Sequence, residues 1–224
     1  MQDEDLRTWD EGTLKDLKGA MRARRNRHGR GLRIAGLVLI GIALVLGGYV
    51  WWLLWGTGLT TRAAQQDLRP RFEASVGTRD VREAPSRERV VKVPGGAIAI
   101  LKIPKIDVDM VVVEGTDTES LKRGPGHYTQ TAYPWEDTGR VGIAGHRTTY
   151  GAPFWSLNEL REGDRIVLAT EYGTFEYRVS RTLIIAPSNG AVLEPTNQPT
   201  LVLTTCNPRF SAAERLVVFA QRVD

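Results

Sequence analysis

From Ile34 to Trp55 the chain reads IAGLVLIGIALVLGGYVWWLLW, 22 residues without a charge. About 20 apolar residues span the hydrocarbon core of a bilayer as a helix, and a soluble core helix this long would keep a polar face. A cleavable signal peptide has a shorter apolar region, roughly 7–15 residues, with small residues at its exit. This run ends instead in Tyr49, Trp51, Trp52 and Trp55, which suit an interfacial aromatic belt. The pattern therefore predicts one retained transmembrane helix over 34–55. Residues 1–33 are polar, with no persistent apolar period. Residues 56–94 have the texture of a tether: TTRAAQQDLRPRFEAS is part-helical in composition, and REAPSRERV has little to bury. Pro70 should interrupt any helix there.

From about Gly95 the texture changes to short β-branched runs separated by Gly, Pro, Asp and Asn, which is a strand-and-turn pattern. The predicted strands are AIAILKI (97–103), VDMVVVE (108–114), RVGIAG (140–145), RIVLAT (165–170), TFEYRVSRTLII (174–185), TLVLTT (200–205) and RLVVFAQ (215–221). A short helix is expected near TDTESLKRG (116–124), capped by Thr116 or Thr118, and a helical turn at FWSLNELREG. Strands this numerous with so few helices predict one all-β barrel or sandwich over 95–224.

Composition adds one exclusion. The net charge is +4, but residues 1–33 hold nine Lys/Arg against six Asp/Glu, and the rest of the chain is left at net +1. A phosphate-tracking surface needs basic residues clustered on the folded domain, so no nucleic-acid partner is expected. Arg22, Arg24, Arg25, Arg27, Arg30 and Arg33 precede the apolar run with no acidic residue among them, and Arg62 is the first basic residue after it. The positive-inside rule then predicts a single-pass cell-membrane protein, its N-terminus cytoplasmic and its C-terminal domain extracytoplasmic.

That compartment gives the only cysteine a meaning. Cys206 cannot form an intramolecular disulfide where disulfides are permitted, so it is either a small buried hydrophobe or a free reactive thiol. It follows Leu201, Leu203 and Thr205 and precedes Asn207-Pro208, where a strand stops. A thiol is activated by a nearby base or cation. His28 lies in the cytoplasmic head, and His127 falls in a turn after GPG. His146 closes the strand-like run VGIAGH, as Cys206 closes its own, which makes it the better candidate acid/base. Arg215 opens the strand after Cys206 and would stand at the same rim, with a planar fork suited to a carbonyl or an oxyanion. Arg209, in the turn, is the weaker alternative.

The motifs GPGHY, AGHRTTYGAPF (144–154), VLTTC (202–206) and CNPRF…ERLVV resemble those of sortases, the membrane-anchored cysteine transpeptidases of Gram-positive bacteria, and most of all class E, the actinobacterial housekeeping type. The resemblance covers residues 95–224 and the anchor topology. It implies an eight-stranded sortase-type β-barrel. It also implies that Cys206 attacks the Thr–Gly carbonyl of an LPXTG- or LAXTG-like sorting signal, that His146 shuttles the proton, and that Arg215 holds the substrate and oxyanion. The partners implied are surface proteins bearing the signal and an amine on a peptidoglycan precursor of the lipid II kind or on a pilin. Tyr128 matches a class E position associated with Ala after Leu in the signal. No cofactor or metal is implied, and no acidic cluster resembles the calcium site of class A. Two departures stand out: Val202 replaces the Thr of Thr-Leu-x-Thr-Cys, and PWEDTGRVGIAGH lacks a Gly-Asn pair usual before the histidine. The competing readings are another thiol hydrolase and an anchored β-domain that binds a partner without catalysis. An L,D-transpeptidase would need a Ser-His-Gly-Cys-like context, which is absent.

Overall fold

The structure, a computed structural model, describes residues 11–86, 89–90, 92–93 and 95–223, with the side chains of 11–14, 17, 19–30, 54 and 55 outside the described set. The chain divides into two compact units, Met1–Val50 and Trp51–Asp224. The first is helical: α1 runs Glu11–Trp51, and its stretch Gly31–Trp51 is long and apolar enough to cross a membrane. Leu37, Leu44 and Val45 are each about 70% exposed. The helix starts well inside the segment expected to be a polar head. The arginines at 22, 24, 25, 27 and 30, on which the expected orientation rests, have side chains outside the described residues, as does Trp55 of the expected aromatic belt.

The second unit is an eight-stranded closed barrel. Its strands are β1 (Ala97–Ile103), β2 (Val108–Glu114), β3 (Gly126–His127), β4 (Arg140–Ala144), β5 (Arg165–Thr170), β6 (Gly173–Ile185), β7 (Thr200–Asn207) and β8 (Glu214–Arg222). Around the barrel they follow the order β1-β2-β3-β4-β7-β8-β6-β5, and β5 pairs back with β1. The pairs β2–β3 and β4–β7 are parallel and the others antiparallel. Leu101, Ile103, Val112, Ile143, Ile166, Leu168, Leu201, Leu203 and Val218 fill the interior with Tyr133, Tyr177 and Phe154. Seven strands coincide with the apolar runs; the eighth, β3, has only two residues and no run of its own.

Three expectations need correction. Part of the expected tether is helical, as its composition allowed, but it is docked as well: Leu68 and Phe72 of α2 (Thr57–Glu73) bury against Ile100, Val111 and Val113 on the outer face of β1 and β2. The expected interruption at Pro70 does not occur, because docking of the residues on either side holds the last turn in helical form. The short helix α3 (Thr118–Arg123) is capped by Asp117, not by Thr116 or Thr118: its carboxylate accepts from the N–H of Glu119 and Ser120.

Candidate active site

β7 alternates strictly. Leu201, Leu203 and Thr205 point inward, so Val202, Thr204 and Cys206 share the outer face. Antiparallel pairing with β8 sets Cys206 directly opposite Arg215, with Thr204 opposite Val217 and Val202 opposite Phe219. On its other side β7 pairs in parallel with β4, Ala144 beside Thr204. Gly145 extends that register: its N–H donates to Thr204 O at 3.0 Å, and its carbonyl accepts from Thr205 Oγ1 at 2.7 Å. One residue on, His146 leaves β4 at the level where Cys206 leaves the core-lining part of β7. The three residues singled out from sequence thus stand at the ends of three neighbouring strands.

Each has a distinct environment. Cys206 is a free, half-buried thiol. The His146 Nε2 is buried and has no hydrogen-bond partner among the described residues. Burial pushes its imidazole below the ordinary value, so the ring is neutral at neutral pH. The ring lies 4.9 Å from that of Tyr150, and Phe154 N–H donates to His146 O, closing the loop that follows the histidine. A Cβ at Gly145 would stand 2.5 Å from the Phe154 ring, so the glycine before the histidine is what lets this ring seat against the backbone. Arg215 is half-buried, and its Nη1 donates to the carbonyls of Ala212 and Glu214, both at 3.0 Å. Those bonds fix the guanidinium in its own turn and leave Nε and Nη2 without a partner among the described residues. Arg209 is drawn away to Trp155, its guanidinium 4.3 Å from the ring centroid and bonded to the Trp155 carbonyl.

Tyr128 borders the same face. Its hydroxyl is 2.9 Å from Thr204 Oγ1, and its ring closes on Gly142, where a Cβ would come within 2.9 Å. The residue before it, His127, is not in a turn but in β3 and fully buried. His127 Nδ1 faces Glu114 Oε2 at 3.3 Å and Nε2 faces the Ala132 carbonyl at 3.0 Å, while Tyr133 donates its hydroxyl to the same carboxylate. Among the described residues, no group of three or more His, Cys, Asp and Glu is placed to hold a metal ion. Sequence reasoning passed over Arg147, which follows His146 directly and whose Nη1 donates to the Cys206 carbonyl at 3.2 Å. Its position next to a candidate histidine was the available signal.

The sortase domain model matches residues 101–223, more than half of the chain. The chain belongs to the sortase family. It is 32% identical over 200 residues to Sortase D of Bacillus subtilis (strain 168), an alignment that takes in 85% of this chain and 98% of that protein. It is 38% identical over 146 residues to Sortase SrtE1 of Streptomyces coelicolor, covering 58% of this chain and 42% of that one. Among solved structures, Sortase E1 from Streptomyces coelicolor, with a tripeptide in its active site, superposes with a TM-score of 0.56 at 36% identity, over 60% of this chain and 92% of that one. This sortase is thus a cysteine transpeptidase with the family's barrel, and class E sortases are among its relatives.

Proposed function

We propose that this sortase is anchored in the membrane, cleaves an LAXTG- or LPXTG-like sorting signal between Thr and Gly, and transfers the released carbonyl to a cell-wall precursor amine, with Cys206, His146 and Arg215 as its catalytic groups. The observation that carries the assignment of residues is the register that sets Cys206 opposite Arg215 while β4 delivers His146 beside them. In the first half-reaction the Cys206 sulfur, its proton passed to His146, attacks the threonyl carbonyl carbon. The Arg215 fork holds the oxygen that becomes negative. As the C–N bond breaks, the imidazolium returns its proton to the departing glycyl amine and a thioester remains on Cys206. In the second half-reaction the acceptor amine gives a proton to His146, its nitrogen bonds to the carbonyl carbon, and the C–S bond breaks, the departing sulfur taking that proton back from His146 to restore the thiol and the neutral imidazole. A neutral resting imidazole, which the buried Nε2 favours, is the form that takes up the first proton. Tyr128, bonded to Thr204 one residue pair from the thiol, borders the place where the residue after Leu of the signal would lie.

The test uses the full-length chain in detergent micelles, given LAXTG or LPXTG peptides with a glycine-based amine and followed by mass spectrometry. A thioacyl adduct on Cys206 and a transpeptidation product are expected, and Cys206→Ala abolishes both. Arg215→Lys should lose most turnover, on the order of a hundred-fold, since an ammonium does not reproduce the fork. Folded protein that forms no adduct with either peptide would refute the substrate assignment, and near-normal turnover in Arg215→Lys would remove Arg215 from the chemistry.

A further inference from the structure

Arg147 is a buried cation without an anion. It is 6% exposed. Nη1 donates to the Cys206 carbonyl at 3.2 Å and to Asn207 Oδ1, and Nη2 donates to Asn158 Oδ1 at 2.9 Å. Nε is buried with no partner among the described residues. Every acceptor is neutral, and among the described residues no carboxylate pairs with this guanidinium. A guanidinium keeps its proton in a protein, and an ion buried without a counter-ion is costly. Burial pushes Arg147 below its ordinary value, the like charge of Arg209 adds to the push, and Cys206 is the neighbour that opposes it. The residue whose carbonyl Arg147 holds also carries a thiol, a group that becomes an anion when it ionises.

We propose that Arg147 is a positioning residue for acyl transfer: its fork ties the end of the Cys206 strand to the loop that begins at His146, and its unmatched charge takes the Cys206 sulfur anion as counter-ion. The role differs from that of Arg215. Arg147 meets the main chain of Cys206 and touches no substrate; it acts on the thiol through the field and on the site through the backbone. It rests on the reading of Cys206 as the nucleophile.

Because Cys206 is the single cysteine, iodoacetamide alkylation followed by intact mass reports on it alone. The thiolate is the reacting form, so an electrostatic role appears as a change in pH profile and a purely structural role does not. With the full-length chain in detergent micelles, Arg147→Met should slow alkylation at neutral pH by about ten-fold, and leave the rate in strongly alkaline solution, where any thiol is ionised, unchanged. Arg147→Lys keeps the charge but not the fork, and should keep most of the neutral-pH rate while losing transpeptidation. Asn158→Asp gives Arg147 a carboxylate of the same shape as the amide it already bonds, and should slow neutral-pH alkylation in the same sense with no loss of fold. An unchanged neutral-pH rate in Arg147→Met or Asn158→Asp overturns the proposal, as does equal slowing at every pH; if Arg147→Met does not fold, Asn158→Asp decides alone. Alkylation needs no sorting peptide. Protein that alkylates as expected yet forms no thioacyl adduct would sink the substrate assignment and leave the role of Arg147 standing.

Discussion

Val202 shows how one residue can look misplaced in sequence and fit in space. It is fully buried on the outer face of β7 against Val217 and Phe219, with Ile185, Val192 and Leu193 packed over them. A threonine there would bring a hydroxyl into an apolar cluster, where an unpaired polar group is costly, so the valine suits this chain's own covering loop. His146 shows the converse, a polar residue whose burial has a consequence. Its imidazole is pushed below its ordinary value of about 6.5, while the unfolded chain titrates near that value. Between the two, the unfolded state binds more protons, so stability falls as pH drops through about 6.5 and stops falling once the folded ring is also protonated. His146→Gln removes that contribution. Its thermal midpoint should therefore decline less steeply than the wild type's from neutral to mildly acidic pH, and parallel declines in the two proteins would contradict the buried neutral ring.

Among the elements, the strand bounds were the most legible part of the sequence, because apolar runs of six to twelve residues map directly onto barrel staves. What covered them was also written there, in a form that was not used. Val111, Val112 and Val113 form an unbroken apolar run in β2, and such runs belong to strands buried on both faces. Val112 faces the core while Val111 and Val113 lie under α2. The composition of α2 hid its partner role, since only two of its side chains, Leu68 and Phe72, dock as apolar contacts and the rest of the docking is polar, through Thr61, Gln65 and Arg69. Gln65 Nε2 donates to Val111 O at 3.0 Å and Oε1 accepts from Val111 N–H at 2.7 Å, so the side chain stands in for a neighbouring strand beyond the short β3. Gln65→Leu keeps helix propensity and leaves both main-chain groups of a buried residue unpaired. The expected loss is about 2–4 kcal/mol, read from urea unfolding, with exposed Gln66→Leu within about 0.5 kcal/mol of wild type. Equal stability in the two variants would mean that α2 does not dock as described.

At the scale of the whole molecule, the site was legible because its three groups end strands, and strand ends carry little besides function. Its electrostatic surroundings were not, because Arg147 becomes significant only through what it lacks, and a missing counter-ion is a property of packing. The orientation of the proposed anchor is the remaining global feature, and it is argued from charge. Residues 1–33 carry a net +3, six arginines run without an acidic residue up to the apolar stretch, and the remaining chain is close to neutral. Lys and Arg near a helix end resist translocation far more than Asp and Glu favour it, so we infer that the N-terminus stays inside and residues 56–224 are exported. The single cysteine makes this measurable in intact cells. Cys206 is half-buried and free, so a charged, membrane-impermeant maleimide should label it to the same extent before and after permeabilisation, with Cys206→Ala giving the background and detergent-solubilised protein giving full labelling. Replacing the six arginines from 22 to 33 by alanine should lower the fraction labelled from outside, because the charge difference that sets the orientation is gone. Labelling that requires permeabilisation in the wild type would place the barrel in the cytoplasm and remove any access to a cell-wall acceptor.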